Sequence, residues 1–318
     1  MSLPPSPLPG EFALIARHFR RLAGAGALDL QDDAAVLMPP AGRELVLAAD
    51  AMVAGVHFLP DDPPETIGRK LLRVNLSDLA AMGAEPLGYL MTVALPKGTP
   101  DSWLEGFVAG LAEDQALFGL SVLGGDTVSI PGPVTLSLTI LGTVPPGEAL
   151  RRAGARPGDD LWVSGTIGDG ALGLRALRGA FPDPSGFLAR RYRLPEPRLA
   201  LGIALRGVAR AAMDVSDGLV QDAGHLAGAA GCAVAIEAAR VPLSAAGNPL
   251  PLCLTGGDDY ELLFAASPED ALRVETAARA AGTPVTRIGR FTEGAPEVRV
   301  LDDEGRPMEL PRQGWSHF

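Results

Sequence analysis

A chain of 318 residues, 47% hydrophobic and 20% charged, has core enough for two domains and is not disordered in composition. A formal net charge of −11 argues against nonspecific binding to nucleic acid or to an anionic membrane surface, though not against a small anionic substrate carried with metal ions. Two cysteines, Cys232 and Cys253, lie in apolar surroundings and read as buried small hydrophobes rather than a disulfide framework. Met1–Pro7 lacks the charged and apolar regions of a signal peptide, and no stretch reaches 18 apolar residues, so a cytoplasmic protein is expected.

In chain order, Glu11 to Leu22 has helical spacing, with Phe12, Ile15, Ala16 and Phe19 on one stripe. Leu45 to Asp50 reads as a buried strand ending in a carboxylate, and Glu65 to Leu76 as a helix feeding Ser77-Asp78. Tyr89 to Leu95 is a strand closed by Pro96, Trp103 to Phe118 a helix, Ser121 to Leu123 a short strand ending at Gly124-Gly125-Asp126, and Val134 to Val144 another strand. Pro145-Pro146-Gly147 marks a boundary, giving domains over 1–144 and 145–318. The second half continues with a strand at Asp160 to Ser164, a helix at Gly170 to Arg178, and a Pro-rich interval from Pro182 to Pro197. Helix Arg198 to Arg210, a strand ending at Asp214, helix Leu219 to Ala230 and a strand at Val234 to Ile236 follow. Leu262 to Phe264, helix Pro268 to Ala281 and strands near Val285 and Val298 complete it. Strands and helices mixed in this way predict an α/β (mixed α+β) fold in both domains.

Five acidic islands stand out: Gln31-Asp32-Asp33, Asn75-Leu-Ser-Asp78, Gly124-Gly125-Asp126-Thr127, Asp214-Val-Ser216-Asp217-Gly218 and Gly256-Gly257-Asp258-Asp259-Tyr260-Glu261. None contains Lys or Arg. Each Asp alone could be a turn former or helix N-cap. Together with Asp50 they suggest oxygen-only ligands for a hard divalent ion such as Mg²⁺, used with phosphate substrates. Gly165-Thr-Ile-Gly168-Asp169-Gly170 opening a helix looks like either a phosphate cradle or a turn with its cap. No G-x-x-x-x-G-K-[ST] motif occurs, and the only lysines are Lys70 and Lys97. His57 is either structural or a contact for an anion, and Trp315 either pins the tail or stacks on a flat ring. His18 and His225 are read as surface or packing residues.

The order and spacing of these islands resemble the thiamine-monophosphate kinase family, within the aminoimidazole-ribotide-synthetase-like superfamily. Asn75-Leu-Ser-Asp-Leu-Ala-Ala-Met-Gly83 marks the superfamily; Gly10 to Arg17, Val53-Ala-Gly-Val-His57-Phe58, Gly256-Gly-Asp-Asp-Tyr-Glu261 and the Trp315 ending narrow it. The resemblance implies transfer of the ATP γ-phosphate to thiamine monophosphate in a homodimer paired through its N-terminal domains. It implies that Asp33, Asp50, Asp78, Asp126, Asp214 and Asp217 hold several Mg²⁺ ions. Gly125, Asp126, Arg152 and Ser216 would contact ATP, and His57, Asp258 and Trp315 the thiamine phosphate. The chain departs from the family pattern in three places: Ala48-Ala49 replace hydroxyl residues before Asp50, Asp258 replaces a Glu, and Gln31 replaces a Gly. A sister reaction of the aminoimidazole ribotide synthetase type, or a noncatalytic Mg²⁺-nucleotide-binding homologue, are the rival readings.

Overall fold

The computed structural model describes residues 10–245, 247–312 and 314–316. The Pro-rich lead up to residue 9 and the terminal pair His317 and Phe318 lie outside the described residues. The chain divides into two compact units: the first holds residues 1–79 and 85–146, the second 80–84 and 147–318.

In the first unit, helix α1 (Glu11–Leu14) gives way to a π-helical segment, Ile15–Phe19, and a 3₁₀ turn, Arg20–Leu22. The sequence predicts one regular helix here. His18, Phe19 and Leu22 are buried in this segment while Phe12 stays exposed. His18 is therefore a core residue, its Nε2 2.8 Å from Asp101 Oδ1.

Strand β1 (Glu44–Val53), helix α2 (Pro64–Ala81), strand β2 (Glu85–Pro96), helix α3 (Asp101–Phe118), strand β3 (Val122–Ile130) and strand β4 (Thr135–Val144) complete the unit. The sheet runs β1-β4-β2-β3, antiparallel except for the β2–β3 edge. One face is core: Val46, Met52, Leu136, Leu138, Ile140, Met91 and Val93 are buried. The alternate residues Leu45, Leu47, Ala49, Ala51 and Leu90 are exposed, an apolar face left open by the period of two. Helices α2 and α3 meet at Gly68 and Gly110. A Cβ at Gly110 would stand 1.9 Å from the Glu65 carbonyl oxygen, so only glycine permits this backbone approach.

Three boundaries differ from expectation in ways that matter for the site: β1 runs on past Asp50 to Val53, so that carboxylate sits inside the strand rather than at its end. Helix α2 continues through Ser77 and Asp78, and β3 runs on through Gly124, Gly125 and Asp126. Asp78 is a helical side chain and Asp126 an edge-strand one, whereas the sequence pattern sets both at segment ends.

The second unit contains β5 (Asp160–Ser164), α4 (Asp169–Leu177), α5 (Phe187–Arg193), α6 (Leu199–Ala204), β6 (Ala211–Asp214), α7 (Leu219–Ala230), β7 (Ala233–Glu237), α8 (Leu250–Thr255), β8 (Leu262–Ala266), α9 (Ala271–Ala280), β9 (Val285–Thr292) and β10 (Val298–Leu301). Its six-stranded sheet runs β10-β7-β9-β5-β8-β6, with only the β10–β7 pair parallel. Both faces are covered. Leu161, Val163, Leu263 and Ala265 join one core with α7, and Trp162, Phe264 and Ala266 join another with α6 and α9. That double burial is why β5 and β8 are continuous apolar runs without alternation. Among the described residues no helix is long and apolar enough to cross a membrane.

Candidate active site

The acidic residues of the first unit fall into two groups. Ala23 bridges to Val122 in parallel and the Gly24 amide donates to the Val122 carbonyl, so the segment leading to Asp32 and Asp33 runs beside the β3 edge. There Asp32, Asp33, Gly124, Gly125 and Asp126 line a cavity of about 650 Å³ with Phe12, Ile15, Phe19 and Leu30. Its size suits a small organic ligand. At Gly125 a Cβ would sit 1.8 Å from the Met91 carbonyl oxygen, so the strand can lie this close only with glycine.

The other group is Asp50 with Asp78. The buried Asn75 accepts the Asp50 amide proton at its Oδ1 (3.2 Å) and donates from Nδ2 to the Leu71 carbonyl (2.9 Å). Asp78 follows Asn75 by three residues on α2, the spacing of neighbours on one helical face. Burial raises the Asp50 carboxyl above its ordinary range. His57 closes a turn after β1: its Nδ1 accepts the Val53 amide proton at 3.0 Å, which leaves the ring N–H on Nε2 in the neutral form. Buried Lys70 donates to the His57 carbonyl at 2.9 Å and holds that turn from α2.

These two groups do not share a position within the unit. Asp50 lies in the row Asp50–Leu138–Met91–Gly125, and Asp126 in the next row, Ala51–Ser137–Thr92–Asp126. Adjacent rows point to opposite faces, and three strand spacings amount to about 14 Å.

In the second unit, the loops at 214–218 and 257–261 are zipped together. The amides of Asp258 and Tyr260 donate to the carbonyls of Ser216 and Val215, and the Val215 amide donates to the Glu261 carbonyl. A Cβ at Gly257 would come within 2.3 Å of the Ser216 carbonyl oxygen, so this contact also needs glycine. Asp258 adopts φ +69° and its carboxylate accepts from the Tyr260 hydroxyl at 3.3 Å. The Trp315 amide donates to the Asp217 carbonyl, and Gln221 Nε2 bridges the Asp217 carboxylate and the Trp315 carbonyl. The tail is thus tied beside Asp217 with an exposed indole. Arg152 is exposed on the segment entering this unit.

Asp222 is absent from the sequence candidates, and His225 reads there as a surface or packing residue. One ligand atom of each lies within 4.8 Å of one another and of Asp217. Burial first, and then the charges of Asp214 and Asp217, push the Asp222 carboxyl up to about 8. The available signal was their i, i+3 spacing on α7, directly after the Asp217-Gly218 turn.

Two expectations are corrected. The last island is not free of basic partners: Glu261 is fully buried and held by Arg191 (2.9 Å), Arg198 (2.5 Å) and the Ser164 hydroxyl (2.6 Å). The glycine-rich loop before α4 is not an open phosphate cradle. Its Gly168 and Gly170 amides donate to the two oxygens of the buried Asp259 carboxylate at 2.8 and 3.0 Å. An internal carboxylate takes the place an anion would occupy. By contrast, among the described residues Asp33, Asp50, Asp126 and Asp217 form no ion pair with Arg or Lys.

The AIR synthase related protein family matches this chain in two pieces, its N-terminal domain over residues 31–144 and its C-terminal domain over residues 156–301. The thiamine-monophosphate kinase of Caulobacter vibrioides is 49% identical, across 97% of this chain and 91% of that protein. The crystal structure of thiamine-monophosphate kinase from Stenotrophomonas maltophilia is 40% identical with a TM-score of 0.79, covering 88% of this chain and 91% of that one. A structure of AaThiL complexed with AMPPCP and TMP is 33% identical with a TM-score of 0.77, covering 90% and 91%.

Proposed function

This chain belongs to the thiamine-monophosphate kinase family, and from that premise we propose that it transfers the γ-phosphate of ATP to thiamine monophosphate, giving thiamine diphosphate. The observation that carries this reading is the set of carboxylates without a basic partner, Asp33, Asp50, Asp126 and Asp217, beside loops whose backbone is held in place. Two such charges about 4 Å apart repel by roughly 4 kcal/mol at an effective dielectric of about 20, so a site that gathers them favours a cation.

An all-oxygen donor set fits Mg²⁺, and Asp33, Asp50, Asp78, Asp126, Asp214 and Asp217 are the residues that would hold it. When bound, Mg²⁺ neutralises phosphate charge. The chain's own residues do the positioning. The cavity beside β3 receives ATP, its apolar residues toward the base and Gly125 and Asp126 toward the phosphates, and Ser216 and Arg152 of the second unit are the further proposed ATP contacts. His57 Nε2–H, Asp258 and the Trp315 indole meet thiamine monophosphate. The acceptor phosphate oxygen forms a bond to the γ-phosphorus in line as the β,γ-bridging P–O bond breaks. That oxygen is largely ionised near neutral pH, so no general base is assigned.

A homodimer fits the open apolar sheet face, where Leu47 is 61% exposed. The test is product formation from thiamine monophosphate and ATP with and without Mg²⁺, using free thiamine as a control acceptor. Mg²⁺-dependent turnover of the monophosphate alone, lost in Asp126→Ala, supports the reading. A phosphorylated enzyme isolated on the path would overturn the direct transfer.

A further inference from the structure

On the reading of Ser216 and Asp217 as ligand-binding residues, we propose that Asp222 is the positioning residue that sets their loop. A single oxygen of its carboxylate, Oδ2, accepts the amide protons of Ser216, Asp217 and Gly218, each at 3.1 Å. The Asp222 amide returns a bond to the Gly218 carbonyl at 3.0 Å. Asp222 is itself 1% exposed. It rises from the first turn of α7, whose Ala223, Leu226 and Ala227 are packed in the core.

The backbone account of the loop is complete. The amides of 216, 217 and 218 go to Asp222 and that of Val215 to Glu261. The carbonyls of 215, 216, 217 and 218 go to Tyr260, Asp258, Trp315 and Asp222. No main-chain group of residues 215–218 is left over. Three successive amides turned toward one point form a nest that attracts an anion. Here the Asp222 oxygen fills the nest, so its amides are not open to a phosphate of the substrate, and the Ser216 hydroxyl and Asp217 carboxylate are the groups offered outward. Truncating Asp222 strands three donors at once and frees residues 216–218 to move, while Ser216 and Asp217 themselves remain.

Its carboxylate also has an oxygen near Asp217 and His225, and the experiment separates loop positioning from direct ligation with them. In the full-length protein, Asp222→Ala and Asp222→Asn are compared with wild type. Measured are turnover across a Mg²⁺ titration, Mg²⁺-ATP affinity by calorimetry, and amide hydrogen exchange of residues 215–218. For Asp222→Ala the expected result is a rise of about 10- to 100-fold in the Mg²⁺ requirement, the range found when a ligand's supporting partner is removed. Fast exchange at 216–218 should accompany it. Asp222→Asn keeps an acceptor oxygen and should retain protected amides and a Mg²⁺ titration close to wild type. An alanine variant with unchanged titration and protection overturns the proposal. So does a folded asparagine variant that keeps its amides protected yet loses as much as alanine, because the charge rather than the loop would then matter. If the alanine variant does not fold, the asparagine variant decides on the same two readouts. Should wild type make no thiamine diphosphate, the kinase reading fails by itself, and exchange with Mg²⁺-ATP affinity still tests Asp222.

Discussion

Asp50 and Asp126 sit in neighbouring rows of one sheet, on opposite faces and three strands apart. A Mg²⁺ ion binds carboxylate oxygens at about 2.1 Å, so it cannot bridge about 14 Å within one copy. Mixing two inactive variants tests whether two copies share the site. Asp50→Ala and Asp126→Ala should each lose most activity. Mixed and re-equilibrated subunits should regain about a quarter of wild-type activity, since half the dimers are mixed and each has one intact site. No recovery in verified mixed dimers would return both residues to one copy.

Protons and Mg²⁺ should compete. Burial raises the Asp50 carboxyl, and burial followed by Asp214 and Asp217 pushes Asp222 up to about 8. In metal-free protein the folded state keeps protons that the unfolded chain releases from about pH 4 upward. The stability these groups contribute is therefore full below about pH 4 and lost as pH rises toward about 8. Mg²⁺ binds the ionised forms and should restore it. Thermal melts should show a larger Mg²⁺-induced rise in Tm at pH 8 than at pH 5. Equal shifts at both would contradict this.

Asp259→Ala should act on stability. It strands the buried Gly168 and Gly170 amides, each worth about 1–3 kcal/mol. The denaturation midpoint should fall while Mg²⁺-ATP still binds. Lost ATP affinity at unchanged stability would instead make the glycine loop a phosphate site.

Both thiols should be silent in the native state. Burial, then Asp259 and Asp169, pushes the Cys253 thiol up to about 12, and burial and Asp159 raise Cys232. Thiolate is the reactive form. An aromatic disulfide reagent at pH 8 should find two groups only after denaturation; rapid native labelling of either would contradict their burial.

Local periodicity carried most of the fold. The strands at Leu45, Tyr89 and Asp160 follow from short apolar runs, and the helices at Trp103 and Leu219 from a spacing of 3.6 residues. Errors arose where packing overrode it. Helix α6 stops at Ala204, short of Arg210, and Gly207 follows at φ +64°. Helix α5 forms between flanking prolines in a stretch that reads as irregular, because Leu188 and Tyr192 are buried.

The acidic islands and their glycines were visible in the sequence, because residue type and near-neighbour spacing are properties of the chain itself. Which carboxylates are consumed internally was not. Asp259 meets Gly168 across 91 positions and Glu261 meets Ser164 across 97. Those pairs depend on strand order and register, which set a residue's partner and its face of the sheet. The same register puts Asp50 and Asp126 apart and lets Asp222 reach back to gather three amides. Composition and spacing thus determined the chemistry this chain can do, and only the tertiary structure decided which of its acids are left to do it.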